Sequence, residues 1–335
     1  MRRVDVRHIG VKRALAWTFA IACLWWVFHD IDARQLLATT RIEKWWFVAL
    51  AIIVDILTYV LQGVRWKLLL APVGQLSCLR ATQAIYAGLF TNELVPFRFG
   101  ELVRAFLVSR WLSSPFALVL PSLIVERFLD AFWLASIVGL TAIFAPLPNI
   151  FIKAAYALGG AVLLAALFFL WLVFRKQSQL NEQSSASSLP NRVSRLASQF
   201  ARGLRDIGAS RPLFLAALLS VGMLGCQVLA LWFMMLGCRI DLPLAASAVV
   251  LLIVRLGTAI PNAPANVGSL QFFCVLGLSL FRVEKTVAAG FSIVYFLALT
   301  LPLWIIGLLA ISSAGFNLLT LRFELATLRC GPGCS

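Results

Sequence analysis

The sequence predicts an all-α polytopic membrane protein with about six full spans and two re-entrant, broken-helix hairpins arranged as an inverted repeat. Of its 335 residues, 61% are hydrophobic and only 13% are charged, and the mean hydropathy is +0.92. A soluble domain of this length needs more polar surface than this composition supplies. Apolar runs near or above the ~18-residue threshold for a membrane span recur along the chain.

Eight apolar segments carry this prediction. The first follows a basic start without a small-residue cleavage site, so we predict an uncleaved helix rather than a signal peptide. Two segments, Leu79–Val95 and Pro243–Ile260, each run into a proline-broken patch and predict hairpins. The remaining six predict full spans: Leu15–Phe28, Trp45–Val64, Phe116–Phe144, Ile150–Phe174, Pro212–Leu236 and Val287–Ala314.

The distribution of charge predicts the orientation of these spans. Residues 1–13 contain five basic residues and one acidic residue, and residues 175–211 contain seven basic and two acidic residues. Residues 30–44 contain three basic and three acidic residues. This is the positive-inside pattern of an integral protein of the bacterial inner membrane, with both termini and the 175–211 loop in the cytoplasm. The net charge of +15 therefore does not indicate nucleic acid as a partner.

The whole chain, 1–335, is predicted to be a single integral membrane domain built from two half-repeats. The first half-repeat covers 1–145, with a hairpin near 79–112 that dips from the cytoplasm. The second covers 146–174 and 212–316, with a hairpin near 243–283 that dips from outside. Both breaks contain Pro-x-x-x-Gly, at Pro96/Gly100 and Pro264/Gly268, and Pro261 precedes the second. Inverted repeats with broken helices near the midplane are a recurring transporter design.

The basic linker at 175–211 separates the halves. From Arg192 to Ile207 it has apolar residues at helical spacing, with most of its arginines off that stripe. This pattern predicts an amphipathic helix on an anionic cytoplasmic leaflet. A solvated connector with ordinary positive-inside charge is the alternative.

Charged residues accumulate at the predicted midplane. Arg98, Glu101 and Arg104 adjoin the first break, and Glu126, Arg127 and Asp130 follow in the next span. Asp55 and Arg255 are at comparable depth in other segments. Charges facing lipid are costly, so these residues predict a wet or ion-paired interior. They either form a substrate site or fasten the bundle as ion pairs.

The residue types favour an anionic amphiphile as the substrate. Arginine matches phosphate and carboxylate oxygens and stays charged in a low-dielectric site. Arg98, Arg104, Arg127 and Arg255 are therefore predicted to bind the head group, while Glu101, Glu126, Asp130 and Asp55 support them or carry protons. Seven scattered cysteines and two histidines predict no metal site. We expect no cofactor and no catalytic residues.

Two stretches resemble a known family. NELVPFRFGELVRAFLVSR followed by SLIVERFLDAFWL resembles the signature of the lysylphosphatidylglycerol synthase transmembrane (flippase-like) family. The pattern falls on Asn92, Pro96, Arg98, Gly100, Glu101, Arg104, Glu126, Arg127 and Asp130, and so adds Asn92 to the supporting residues. The family's second-half Pro-Gly-Gly-x-Gly element aligns with Pro264–Gly268, which lacks the paired glycines.

The resemblance implies lipid translocation, or the handling of lipid-linked glycans and hopanoids. Members that make lysyl-lipid carry an additional soluble aminoacyltransferase domain, which we do not find here, so we expect a transporter-like protein and not an enzyme. The first hypothesis is a flippase-like lipid translocase for an anionic phospholipid, a polyprenyl-phosphate-linked lipid or a hopanoid. The alternative is a non-transporting scaffold that partners a lipid-modifying or glycan-assembly enzyme, for example through the 175–211 loop.

Overall fold

The computed structural model describes residues 6–94, 99–144, 211–259 and 263–314, together with the single positions 153, 159, 160, 163, 164, 203 and 207. Several predictions fall outside this range. They are the helix breaks Pro96 and Pro261, the head-group residue Arg98, the span Ile150–Phe174 apart from those single positions, and most of the 175–211 linker.

Every described element is helical, as predicted. The helices are α1 (Val6–Phe28), α2 (Ala33–Thr39), α3 (Trp45–Leu70), α4 (Cys78–Leu94), α5 (Gly100–Trp111), α6 (Phe116–Phe144), α7 (Arg211–Gly237), α8 (Leu244–Ala259), α9 (Ser269–Ser279) and α10 (Lys285–Ser313). A short 3-10 turn, Pro264–Asn266, lies between α8 and α9.

Three helices of the described chain are long and apolar enough to cross a membrane. They are α3, α7 and α10, with 26, 27 and 29 residues, and they coincide with three of the six predicted full spans. Trp17–Phe28 in α1 and Leu244–Thr258 in α8 are shorter apolar stretches. The protein is therefore an integral membrane protein, while the count of six spans stays a prediction.

The connections gather at two ends of the bundle, which we call the Trp45 end and the Leu70 end after the ends of α3. At the Trp45 end, the backbone amides of Glu43 and Lys44 donate to the carbonyl oxygen of Gly237, at 3.1 and 3.4 Å. Lys285 Nζ lies 3.4 Å from Asp30 Oδ2 at the same end. At the Leu70 end, Gln83 on α4 donates to the carbonyl oxygen of Ala310 and to Ser313 Oγ near the end of α10, at 3.2 and 3.0 Å.

In two pairs of consecutive helices, the second helix ends at the same end of the bundle at which the first helix begins. In the first pair, Arg80 near the start of α4 lies 6.0 Å from the ring of Trp111 at the end of α5. In the second, Gly277 near the end of α9 packs against Val250 of α8. The unconnected ends of the α4–α5 pair lie at the Leu70 end, and those of the α8–α9 pair lie at the Trp45 end.

The packing of the first series of helices has a counterpart in the second. We match α3 with α7, α4 with α8, α5 with α9, and α6 with α10. Whenever two of these helices pack together, their two counterparts also pack together. For example, α4 packs on α10 and α8 packs on α6. The two central helices, α3 and α7, form the most extensive helix pair.

Helix α3 contributes to two apolar cores. Its first half packs with α1, α7, α8, α9 and α10, and its second half packs with α4, α5 and α6. Ile207 from the predicted amphipathic segment is fully buried in the second of these cores, and Gly203 lies against Pro121 of α6. At these two positions the segment faces protein.

Candidate functional site

Glu126 is the centre of a buried charge cluster between α3, α5 and α6. Its side chain is fully buried, with Oε1 3.1 Å from Arg65 Nη2 and Oε2 2.8 Å from Arg104 Nη2. Gln62 Nε2 donates to Oε1 at 2.7 Å. A carboxylate excluded from water needs such donors, because an unpaired buried charge is very costly.

Arg65 extends the cluster towards α7. Its guanidinium is 1% exposed and also contacts Asp130 Oδ1 at 2.6 Å. It donates a further hydrogen bond to Ser220 Oγ at 2.9 Å. Ser220 belongs to α7, so one arginine of the first half ties α6 to a helix of the second half.

Arg104 is buried but incompletely paired. Its guanidinium lies 4.8 Å from the ring of Trp66, whose indole Nε1 donates to Ser122 Oγ at 3.0 Å. Arg104 Nη1 donates to Glu126 Oε1 at 3.2 Å. Arg104 Nη2 pairs with Glu126 Oε2 at 2.8 Å, while Nε of Arg104 has no hydrogen-bond partner among the described residues. Buried donors without an acceptor are uncommon in folded proteins.

The rim of the cluster is accessible. Arg127 is 44% exposed, and its Nε lies 3.3 Å from Glu101 Oε1 while its Nη1 lies 3.5 Å from Asp130 Oδ2. Across core and rim, the charges of the described residues balance. Three arginines face three carboxylates: Arg65, Arg104 and Arg127 against Glu101, Glu126 and Asp130.

The break between α4 and α5 is closed by small residues and an amide side chain. A Cβ on Gly100 would overlap the carbonyl oxygen of Gly88, so only glycine permits the observed approach of the two helices. Asn92 Oδ1 accepts a hydrogen bond from the backbone amide of Gly100 at 2.7 Å, which satisfies one of the free amides at the start of α5. In this structure, Asn92 therefore holds the hairpin together.

A small cavity of about 20 Å³ adjoins the arginines at this break. Its polar lining comes from α3, α4, α5 and α6: Gln62, Asn92, Glu101, Arg104 and Arg127. This volume holds about one water molecule. The site is thus formed but closed to anything as large as a phosphate group.

The second break also depends on a glycine. Gly268 has a φ of +83°, and a Cβ there would overlap the carbonyl oxygen of Ala20 on α1. Its backbone amide donates to Gln271 Oε1 at 2.8 Å. The turn that starts at Pro264 packs against α4, so the second break lies next to the first hairpin.

Asp55 and Arg255 form a second polar group, separate from the charge cluster. Asp55 lies on α3, about 15 Å along the helix from Trp45. The charged and phenolic groups in its surroundings are Arg255 of α8 and Tyr59, Tyr86 and Tyr295, and among the described residues Asp55 and Arg255 make no contact ion pair. The rings of Tyr59 and Tyr86 are edge-on with centroids 5.5 Å apart, and the Tyr86 hydroxyl is buried without a hydrogen-bond partner among the described residues.

The structure thus divides the predicted site residues into two groups. Arg104, Glu101, Glu126, Arg127 and Asp130 come together, with Asn92 and Gly100 beside them. Arg255 and Asp55 lie in the second group. The sequence-based prediction omitted Arg65, which makes two of the shortest ion pairs in the cluster. Its spacing three residues after Gln62 was the available signal, because i and i+3 share a helix face.

The described residues contain no group of three or more histidine, cysteine or acidic side chains that could hold a metal ion. The polar groups of the cluster are guanidinium, carboxylate and amide groups, and its guanidinium groups can bind the oxygen atoms of an anion. Their chemistry suits the recognition of an anion.

Comparisons with known proteins agree with the motif. The model of the family described as the lysylphosphatidylglycerol synthase TM region matches residues 13–307, which confirms the resemblance. A UPF0104 membrane protein of Methanocaldococcus jannaschii is 22% identical over 320 residues, covering 88% of this chain and 91% of that protein. No solved structure matches the chain.

Proposed function

Because the chain belongs to the lysylphosphatidylglycerol synthase transmembrane-region family, we propose that it is a lipid translocase. It moves an anionic phospholipid, a polyprenyl-phosphate-linked lipid or a related amphiphile such as a hopanoid between the leaflets of the membrane. The anionic lipids fit the arginine-rich cluster best.

The incomplete pairing of Arg104 is the observation that carries this proposal. Its Nε is buried without an acceptor among the described residues, and its side chain lines the cavity at the break of the α4–α5 hairpin. Once the cavity opens, a phosphate oxygen that enters it supplies the acceptor that Nε lacks. Guanidinium groups bind such oxygens through two parallel hydrogen bonds.

Arg127 is the residue through which a head group first engages the cluster. It is the most exposed of the three described arginines in the cluster, and its contacts with Glu101 and Asp130 are longer than those of the buried pairs. Exposed ion pairs contribute little stability, so a head group can replace them at small cost. The fully buried Glu126 instead keeps the core of the cluster paired between transport events.

Translocation also requires the closed cavity to open. We place the two helix pairs in an inverted repeat, with α4–α5 and α8–α9 as re-entrant hairpins that enter from opposite faces. Their openings at opposite ends of the bundle and the matching contacts of the two series support this arrangement. Transporters of this design expose a midplane site to one side and then to the other.

A reconstitution experiment tests the proposal. Purified protein is placed in egg phosphatidylcholine vesicles with a minority of fluorescent phosphatidylglycerol, and dithionite protection measures movement between leaflets. Arg127→Lys keeps the charge but loses the planar fork, so we expect normal abundance and a loss of about tenfold or more in rate. The matched control is Arg239→Lys, an exposed arginine paired with Glu43 at the Trp45 end, which should transport at the wild-type rate.

One result would contradict the head-group assignment, and another would contradict the translocase function. If Arg127→Lys and Arg98→Lys both transport at the wild-type rate, the cluster only fastens the bundle. If the wild-type protein moves none of the anionic lipids named above, the scaffold hypothesis is favoured instead.

A further inference from the structure

The charge of Arg104 is compensated from two directions. Its terminal nitrogens Nη1 and Nη2 reach the two carboxylate oxygens of Glu126, at 3.2 and 2.8 Å. The indole ring of Trp66 covers the guanidinium, whose central carbon lies 4.8 Å from the ring centroid. This distance is within the range of a cation–π interaction. The edge that carries Nε is engaged by neither contact, and Nε has no hydrogen-bond partner among the described residues.

An aromatic ring stabilises a guanidinium differently from a carboxylate. The ring attracts the positive charge through its electron-rich face and accepts none of the N–H groups in the guanidinium plane. A second carboxylate in the place of the ring would bind those donors instead. Trp66 therefore helps to compensate the buried charge of Arg104 while an N–H donor stays free for a ligand.

The ring is fixed by the same helix that supplies Glu126. Trp66 is fully buried on α3, and its Nε1 donates to Ser122 Oγ on α6 at 3.0 Å. Ser122 is also fully buried, and its hydroxyl donates to the carbonyl oxygen of Val119 at 2.7 Å. Because Ser122 and Glu126 are about one helical turn apart on α6, the anchor of the ring and the carboxylate keep a constant relation to each other.

We propose that Trp66 is a positioning residue for head-group binding, with Ser122 as its anchor. The ring holds Arg104 so that the Nε edge is presented to the phosphate when the cavity at the α4–α5 break opens. Trp66 does not touch the head group and acts only through Arg104. This inference rests on the proposed translocase function and adds the residue that keeps the arginine available.

Substitution of the ring tests this role in the vesicle assay. The transport rate is measured against the fraction of fluorescent phosphatidylglycerol, which separates the maximal rate from the half-saturating fraction. Trp66→Phe keeps an aromatic face and should transport within about threefold of the wild type. Trp66→Leu stays apolar but loses the ring, so its maximal rate should fall about tenfold or more at normal abundance. The half-saturating fraction should change less, because Arg127, which engages the lipid first, is intact.

Fluorinated tryptophan separates the charge attraction of the ring from its packing. Fluorine atoms withdraw electron density from the ring face, so the cation–π attraction weakens with each fluorine added. The protein is produced in a tryptophan auxotroph with tryptophan, monofluorotryptophan or difluorotryptophan, and its maximal rate should fall in that order. The same series in Trp66→Phe is the matched control, because it labels every tryptophan of the chain except Trp66. Fluorination should not change the rate of that variant.

The anchor is tested separately. Ser122→Ala removes the acceptor of the indole N–H and should lower the maximal rate about threefold. Ser136→Ala removes an exposed hydroxyl further along α6 and should transport at the wild-type rate.

The outcomes separate the two proposals. If Trp66→Leu transports as fast as Trp66→Phe, or if fluorination leaves the rate of the otherwise unchanged protein as it was, Trp66 only packs the core and the translocase function stands. If Trp66→Leu does not fold, the fluorination series decides, because it keeps every side chain. A wild-type protein that moves no anionic lipid overturns the translocase function and the positioning role with it.

Discussion

Glu126→Gln tests whether the charge cluster stabilises the fold. The substitution keeps the size of the side chain and removes its charge. Arg65 retains Asp130 at 2.6 Å, but Arg104 loses the carboxylate with which it is paired and is only 4% exposed. Removing one partner of a buried pair costs about 3–5 kcal/mol, a large part of a typical unfolding free energy of about 5–15 kcal/mol.

The measurement is thermal stability of the detergent-purified protein, followed by fluorescence-detected size exclusion after heating. A loss of this size should lower the apparent Tm by about 10 °C. The double variant Glu126→Gln with Arg104→Gln removes both charges and should recover part of the loss, with a coupling of about 2 kcal/mol. The control is Glu43→Gln, whose exposed pair with Arg239 should contribute about 0–1 kcal/mol.

This reasoning is refuted if Glu126→Gln melts within about 2 °C of the wild type, a difference too small for the loss of a buried pair. It also fails if the double variant is less stable than the sum of the two single variants predicts. Either result would mean that water or another group already compensates Arg104.

Two further predictions concern the first hairpin and the orientation of the chain. Gly100→Ala should sharply reduce the amount of folded protein, because the added Cβ overlaps the carbonyl oxygen of Gly88. The control Gly222→Ala, whose Cβ has nothing within 4 Å, should express normally. Equal amounts of the two variants would contradict the packing of the hairpin. Burial raises the pKa of the Cys238 thiol to about 11, so an impermeant maleimide should label Cys238 slowly in intact cells. The labelling rate should rise about tenfold for each unit by which the pH is raised towards that value. Labelling of Cys330 but not of Cys238 would place the Trp45 end in the cytoplasm.

The sequence was sufficient to predict the helical class and the place of the charge. Hydropathy locates long apolar helices because each must satisfy its own backbone in lipid. The spacing of Ser122, Glu126 and Asp130 predicts that they share one flank of a helix. In the structure this flank contacts α3, through Trp66 and Arg65.

The sequence did not reveal which charges pair. Arg65 lies five residues before the end of α3, in a region where positive-inside arginines are common, so its local sequence looked ordinary. Its partners are 61 and 65 positions away and are brought to it only by the packing of α6 against α3. Likewise, Asn92 carries an amide that suits many roles, and only the approach of α5 shows that it accepts from Gly100.

The two polar groups share one helix, α3. Helix α3 carries Asp55 to the second group and Arg65 to the charge cluster, about 15 Å apart along its axis. Each group is completed by a different hairpin: Arg104 comes from α5, and Arg255 comes from α8. On the proposed function, we expect the two hairpins to move against α3 independently. On the proposed function, this arrangement lets the lipid leave one arginine before its path to the opposite leaflet is open.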